Sequence, residues 1–358
     1  MSHPALTRAE AFCQTYGLRL PILLAPMAGA CPPGLAAAVA NAGGLGACGA
    51  LLMQPEGIAR WIEEFRGQSH GALQINLWLP HPPPLRDAAN EAALRRFLKN
   101  FGPEVPLAAA NTTTPDFAGQ FEAALAARPA IISSIMGVFP AALVARMKAA
   151  GIKYFATVTT VAEARAAMAG GADAIIAQGA EAGGHRGAFD AAAAERAAIG
   201  LFALLPAVAD AVNIPIIAAG GIADGRTIAA ALLLGAAAVQ IGTGYLRTPE
   251  AAIAPAWAAA LAEANPEDTQ LTRAFSGRAG RSLITPYLRA AAVVAAPPPA
   301  PYPVQRGLTQ PMRDAAMRDD NLAHMQVWSG QAARLAPASP AAEVTVDWWA
   351  AARTLLEI

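Results

Sequence analysis

A single histidine, His185, lies within a run of small residues, Gln178–Gly187 (QGAEAGGHRG). Glycine loses more conformational entropy on ordering than any other residue, so a cluster of glycines indicates that something must approach the backbone closely. Imidazole has an ordinary pKa near neutrality, which makes it a natural proton acceptor or hydrogen-bond donor. We therefore predict that His185 is the catalytic residue of a ligand site in this segment.

Two further glycine-rich clusters occur later in the chain, AAGGIADGR (218–226) and VQIGTGYL (239–246). Loops of this kind can bring backbone N–H groups and a helix N-terminus to a phosphate dianion. Gly220 and Gly221 would permit a close approach of the backbone, and Thr243 would add a hydroxyl donor. Together the two clusters predict a phosphate site.

Two amide side chains, Asn76 and Gln178, are predicted at strand ends opposite the phosphate site. An amide offers both a donor and an acceptor, which suits the hydrogen-bonding edges of a flat heterocycle such as a flavin. The sequence has no GxGxxG motif on an early strand–helix turn to hold a dinucleotide. The glycines around His185 would then make room for a mononucleotide cofactor.

Composition and charge exclude several other classes of protein. Lys and Arg number 26, as do Asp and Glu, so nothing favours nucleic acid or an acidic membrane surface as a partner. The three cysteines, Cys13, Cys31 and Cys48, lack metal-ligand spacing, and their sparse use fits a reducing compartment. The N-terminus lacks a secretory signal, and no apolar run is long enough to span a membrane. We expect a cytoplasmic protein with no metal site.

The elements that must position these residues are short apolar runs bounded by Gly, Pro or Asn. Continuous apolar runs that alternate with Ala-rich helical stretches indicate βαβ units and a parallel sheet buried on both faces. We predict a TIM-type (β/α)8 barrel of the α/β class, with the site at the carboxyl ends of its strands. A ninth run, 106–111, is either an accessory strand or a misassigned segment, and an open doubly wound sheet is the alternative fold. The eight predicted strands are 21–26, 44–48, 72–77, 130–135, 154–158, 174–178, 215–220 and 238–242.

The alternation of apolar strands with helical stretches ends at about residue 245. Helical stretches alternate there with a proline-rich segment, 295–307, which is too short to act as a long linker. We predict a barrel domain over 1–245 and a smaller cap region over 246–358 that packs on the barrel. Trp348 and Trp349 are expected to be core residues or contacts of a homodimer.

Five stretches of the sequence resemble the nitronate monooxygenase family, and they occur in the family's order. A weaker resemblance continues through 272–281, 302–309 and 328–333. The pattern is specific for the superfamily and less specific for the reaction. The five stretches are LPILLAPMAG (20–29), QINLW (74–78), QGAEAGGHRG (178–187), IPIIAAGGIADGR (214–226) and AVQIGTGYL (238–246).

The resemblance implies that FMN binds at the mouth of the barrel. Asn76 and Gln178 would hydrogen-bond around the ring, and His185 matches the family's active-site histidine. Tyr302 in the cap would contact the substrate. The remaining residues implied for the cofactor are Ala25, Pro26 and Met27 along the ring and Gly183, Gly220, Gly221, Gln240, Ile241, Gly242 and Thr243 around the phosphate end.

The implied reaction is the oxidative denitrification of an alkyl nitronate by O2, which yields a carbonyl compound and nitrite. His185 would hydrogen-bond the nitro group, or would act as the base if a neutral nitroalkane is the substrate. The cofactor supplies the redox chemistry, and the protein supplies orientation and charge.

Two other functions remain open from the sequence. A flavin-dependent enoyl-acyl-carrier-protein reductase is similar in its barrel and in its AGGI.DGR and EAGGH elements, and it would take hydride from NADH or NADPH. The GGHRG segment and the cap motifs favour the monooxygenase instead. A flavin-binding protein without turnover is the second alternative, against which the presence of His185 in an otherwise complete cofactor site argues.

Overall fold

Eight parallel strands form a barrel in the computed structural model, which describes residues 3–357. The barrel strands follow one another in the order β1-β2-β3-β4-β5-β6-β8-β9, and β9 pairs with β1. A bridge from Leu23 to Leu45 joins β1 to the β2 side and closes the ring. All strands, in chain order, are β1 Ile22–Leu24, β2 Gly46–Gly49, β3 Leu73–Trp78, β4 Ile131–Ile135, β5 Lys153–Val158, β6 Ala174–Gln178, β7 Gly184–His185, β8 Ile216–Ala219, β9 Ala238–Ile241, β10 Thr269–Thr272 and β11 Gly280–Leu283.

Helices cover the outside of the barrel, so nearly every barrel-strand residue is buried, as the continuous apolar runs predict. The predicted TIM-type barrel is confirmed, and the open doubly wound sheet is wrong because β9 returns to β1. The helices are α1 Pro4–Tyr16, α2 Pro33–Asn41, α3 Pro55–Arg66, α4 Ala88–Leu98, α5 Phe117–Ala126, α6 Ala141–Ala149, α7 Val161–Ala169, α8 Leu201–Ala209, α9 Gly225–Leu233, α10 Pro255–Glu263, α11 Pro286–Ala291, α12 Val304–Leu308, α13 Gln310–Arg318 and α14 Ala341–Leu356.

The ninth apolar run, 106–111, is not a strand. Leu107–Asn111 forms a short 3-10 helix that begins after Pro106 and packs against α12. Pro106 has no N–H to donate to a sheet, and the three consecutive alanines carry little β propensity. The interpretation as an accessory strand is therefore wrong.

The chain beyond β9 closes over the barrel mouth. Its strands β10 and β11 form an antiparallel sheet with β7, in which Gly280 pairs with His185 and Arg281 pairs with Gly184. The segment that carries the histidine therefore belongs to the barrel half of the sequence but is fixed by a cap strand. This pairing sets the position of His185 relative to both halves of the chain.

The last helix, α14, returns to the outside of the barrel and packs against α9. Trp348 is buried and packs on Tyr245, with 5.0 Å between ring centroids, and the Tyr245 hydroxyl lies 2.7 Å from Thr345 Oγ1. Trp349 is partly buried against the same core. Trp348 is thus a core residue, one of the two roles expected for it. Among residues 3–357, no helix combines the length and the apolar character needed to cross a bilayer.

Candidate functional site

A cavity of about 360 Å³ lies between the carboxyl ends of the barrel strands and the cap. This volume is within the usual range for a small-molecule site. The structure brings together on its wall most of the residues that the sequence singled out. Those residues are Ala25, Pro26, Met27, Asn76, Gln178, Gly183, His185, Gly220, Gly221, Gln240, Gly242 and Thr243.

Two predicted site residues, Ile241 and Tyr302, do not line the cavity. Side chains alternate along β9, so Gln240 faces the barrel interior while Ile241 is buried in the core outside it. Only the Ile241 carbonyl contributes nearby, by accepting a 2.8 Å hydrogen bond from the Ala25 N–H. Tyr302 lies behind the cavity-lining Trp78, with 5.8 Å between ring centroids. The side chains of both residues thus lie off the cavity wall in this structure.

A chain of buried polar side chains crosses the barrel interior below the cavity. Asn76 Nδ2 donates to Ser133 Oγ at 2.9 Å, Gln74 Nε2 donates to the same oxygen at 2.7 Å, and Gln240 Nε2 donates to Gln74 Oε1 at 3.3 Å. These bonds fix the orientation of Asn76 and Gln240 under any bound ring. Gln74 and Ser133 were not among the residues predicted from the sequence, although Gln74 and Asn76 share one face of β3 by the two-residue period of a strand.

The amide of Gln178 holds the histidine loop in place. Its Nε2 donates to the His185 carbonyl at 3.1 Å, and its Oε1 accepts from the Gly187 N–H at 2.8 Å. Both ends of the amide are therefore engaged by the backbone of the predicted loop. Gln178 lines the cavity but acts chiefly to position His185.

The imidazole of His185 lies between two indoles. Trp78 and Trp328 each have their ring centroid 4.9 Å from that of His185, and Nε2 is 2.8 Å from Ser276 Oγ. Burial, and after it the nearby cations Arg278, Arg306 and Arg313, together lower the pKa of His185 to about 3. The ring is therefore neutral at physiological pH, because protonation would bury an additional positive charge.

The predicted phosphate cradle is built from glycines in left-handed backbone conformations. Gly220 has φ +107° and Gly221 has φ +69°, and a Cβ on Gly183 would lie 2.5 Å from the Gly330 backbone nitrogen. Within residues 3–357, the N–H groups of Gly221 and Thr243 donate to no protein acceptor. Both residues line the cavity, so these two N–H groups are available to an acceptor supplied by a ligand.

From the sequence we expect a helix N-terminus to contribute to the phosphate site. The N-terminus of α9 is not available for this, because it is already capped. Asp224 caps this helix, and its carboxylate accepts from the Thr227 N–H at 2.9 Å. A negative charge already occupies the positive end of the helix dipole. The loops after β8 and β9 must therefore supply the donors themselves.

Three arginines of the cap act electrostatically on His185, and no motif or spacing in the sequence predicts them. Arg306 and Arg313 line the cavity, and Arg278 lies over the Trp78 ring at 5.9 Å. Among the described residues none of the three forms an ion pair with a carboxylate. Buried charges are ordinarily paired, so this wall of the cavity is suited to an anionic ligand.

The two arginines on the wall differ in their bonding. Arg313 donates to four neutral oxygens, among them Gln326 Oε1 at 3.0 Å and the Arg306 carbonyl at 2.9 Å. The guanidinium of Arg306 makes no hydrogen bond with any residue of the described chain, and Asp314 is the acidic group that acts on it electrostatically. Arg306 thus has donors free for a ligand.

A family model described as nitronate monooxygenase matches residues 10–347. The chain belongs to the nitronate monooxygenase family. Among its relatives in this family, the nitronate monooxygenase of Paraburkholderia phytofirmans is 39% identical over 95% of this chain and 94% of the relative. The nitronate monooxygenase of Pseudomonas aeruginosa is 38% identical over 97% and 98% of the two chains.

Two solved structures superpose on nearly the whole of this chain. A nitroalkane oxidase from Streptomyces ansochromogenes superposes with a TM-score of 0.86 at 36% identity, over 96% of this chain and 99% of the other. FabK from Thermotoga maritima superposes with a TM-score of 0.75 at 27% identity, over 97% of each chain. The match to an oxidoreductase family thus extends over the barrel and the cap together.

Proposed function

We propose that this protein is an FMN-dependent enzyme that oxidises alkyl nitronates with O2 to a carbonyl compound and nitrite. The observation that carries the proposal is the unpaired guanidinium of Arg306 in a cavity that also presents a neutral imidazole. A nitronate is an anion, and an unpaired cation on the wall stabilises it there. The relatives named nitronate monooxygenase support the same reaction.

The residues present fit FMN. The N–H groups of Gly221 and Thr243 suit a terminal phosphate, and both residues lie on the cavity wall. Asn76 and Gln240, held by the buried polar chain, would lie under the ring. When bound, FMN accepts electrons from the substrate and passes them to O2.

The protein's own residues bind the substrate and control its proton. Arg306 attracts and orients the anion, while Trp78 and Trp328 fix the plane of the His185 ring. The cap encloses the cavity, so these charges act in a less screened environment than bulk water. His185 lines the cavity and would accept a proton when the substrate is a neutral nitroalkane, the compound class named for the Streptomyces neighbour.

The alternative reaction takes electrons from NADH or NADPH and delivers them to an enoyl thioester. The relatives at 38–39% identity favour nitronate oxidation over it, as does the anion-binding wall formed by the cap arginines. The two functions differ in electron donor, which makes the donor the decisive quantity to measure. A flavin protein without turnover would respond to neither donor.

Arg306→Gln should raise KM for a nitronate by about tenfold to a hundredfold. A hydrogen bond to a charged group contributes roughly 1.5–3 kcal/mol, and about 1.4 kcal/mol is a tenfold change in affinity. Arg306→Lys should retain most of the affinity because it keeps the charge. Steady-state kinetics of both variants, after correction for FMN content, measure the effect.

Arg353→Gln is the matched control for Arg306→Gln. Arg353 lies on the outer helix α14 and pairs with Glu357 at the surface, so its loss should leave KM unchanged. An Arg306→Gln variant with full FMN content and an unchanged KM would contradict the assignment of this wall to an anionic substrate.

A further inference from the structure

The turn between β10 and β11 carries a serine that contacts the histidine. Ser276 is fully buried, and its Oγ lies 2.8 Å from His185 Nε2. The contact joins residues 91 positions apart in the sequence. A serine hydroxyl can donate one hydrogen bond and accept two, so the direction of this bond determines which tautomer of His185 is present.

The other partners of Ser276 decide the direction. The Arg278 N–H donates to Ser276 Oγ at 3.3 Å, and Ser276 Oγ lies 3.3 Å from the Arg278 carbonyl oxygen. That carbonyl belongs to a buried residue and has no other donor among residues 3–357. Buried carbonyls are almost always paired. The Ser276 hydroxyl must therefore donate to the Arg278 carbonyl, which leaves its oxygen to accept from His185.

We infer that Ser276 holds His185 in the tautomer that carries its proton on Nε2, so that the lone pair of Nδ1 faces the cavity. Nδ1 has no partner among the described residues and is not enclosed by protein. The arrangement selects the proton-accepting role of His185 over the role of hydrogen-bond donor. Ser276 is a positioning residue, because it acts through the imidazole and does not line the cavity.

The backbone around Ser276 keeps the hydroxyl in place. Gly277 has φ +86°, and a Cβ at this position would lie 2.4 Å from the Ala300 carbonyl oxygen and 2.6 Å from the Tyr302 nitrogen. The turn is therefore pressed against the segment 300–302 and tolerates no larger residue after the serine. The Tyr287 hydroxyl and Gln305 Nε2 both donate to the Ala274 carbonyl, at 2.9 and 2.7 Å, which fixes the start of the turn.

The consequence for the reaction rests on the proposed function. In a neutral nitroalkane the bond from the α-carbon to hydrogen breaks, the proton goes to Nδ1, and the electron pair remains on the substrate as the nitronate. The imidazolium so formed keeps its Nε2–H bond to Ser276 throughout. No oxidant is needed for this step, which precedes the oxidation.

The tautomer can be measured directly on the unaltered protein. Histidine labelled with nitrogen-15 gives long-range proton–nitrogen spectra that distinguish a protonated ring nitrogen from an unprotonated one. The sequence has only five histidines, and the signal lost in His185→Asn identifies the one of interest. We expect a neutral ring with the proton on Nε2; a proton on Nδ1 would overturn the inference.

A matched pair of variants tests the role of the serine. Ser282→Ala is the control, since Ser282 is equally buried in the same cap sheet but donates to the Val327 carbonyl at 2.8 Å. Ser276→Ala should convert the single tautomer to a mixture and lower kcat/KM for a neutral nitroalkane by about threefold to tenfold, the worth of one neutral hydrogen bond. Nitronate turnover should change by less than about twofold, since that substrate has no proton to lose.

Two results would contradict the role of Ser276. One is an unchanged tautomer in Ser276→Ala, and the other is an equal loss on both substrates that Ser282→Ala reproduces. Failure of the proposed function is distinguishable from either, because the nitrogen-15 spectrum does not depend on turnover. If neither substrate reacts but the Nε2 proton is found and is lost with Ser276, the positioning role stands and the proposed reaction does not.

Discussion

His185→Asn should lower kcat/KM for a neutral nitroalkane by about 10²–10⁴-fold, the usual contribution of a general base. The neutral imidazole is held between two indoles with a ring nitrogen open to the cavity, and an amide cannot replace its basicity. The same substitution should reduce nitronate turnover by less than about tenfold, because no proton has to be removed. Kinetics on both substrates, normalised to bound FMN, measure the difference.

His324→Asn is the control for this substitution. His324 packs edge-on against Phe101 in the cap, with 5.5 Å between ring centroids, and does not line the cavity. Its loss should affect both substrates equally and slightly. Equal losses on the two substrates in His185→Asn, or a wild-type protein that turns over nitronates but no neutral nitroalkane, would contradict the role of His185 as a base.

Gly221→Asn should weaken FMN binding by about tenfold to a hundredfold while leaving the fold intact. Gly221 has φ +69°, a left-handed conformation that asparagine adopts far more readily than a branched residue. The added side chain would crowd the predicted phosphate cradle, and overpacking costs roughly 1–3 kcal/mol. Titration of flavin-free protein with FMN, followed by flavin fluorescence, measures the loss.

Gly221→Val separates crowding of the cradle from strain of the backbone. Valine adds the same crowding but does not tolerate a positive φ, so this variant should also unfold at a lower temperature. Wild-type FMN affinity in Gly221→Asn, with lost affinity only in the unstable Gly221→Val, would show that glycine is needed for the backbone alone. That outcome would contradict the assignment of Gly221 to a phosphate site.

The barrel was predictable because its signal is repeated locally. Each buried strand is a short apolar run, and the alternation with helical segments recurs along the first 245 residues. The glycine-rich strand ends were predictable for the same reason, since residues at the carboxyl ends of parallel strands converge. The run 106–111 was misread because apolarity alone does not distinguish a strand from a short helix.

The residues that were missed act across long stretches of sequence. Ser276 and the cap arginines acquire a role only because β11 pairs with β7 and brings the cap onto the histidine loop. A buried arginine without a carboxylate partner leaves no periodic pattern in the sequence. Arg306 therefore cannot be distinguished, from the sequence, from any other arginine of a short helix. Ile241 lies off the cavity wall for a different reason, because side chains alternate along β9 and that of Gln240 takes the inward position.

The electron donor tests the central proposal most directly. Purified protein loaded with FMN is mixed without oxygen with an alkyl nitronate and, separately, with NADH and with NADPH, while the flavin absorbance is followed. We expect the nitronate to change the flavin spectrum rapidly and both nicotinamide nucleotides to change it very slowly or not at all. Rapid complete bleaching by NADH or NADPH, with no response to the nitronate, would contradict it.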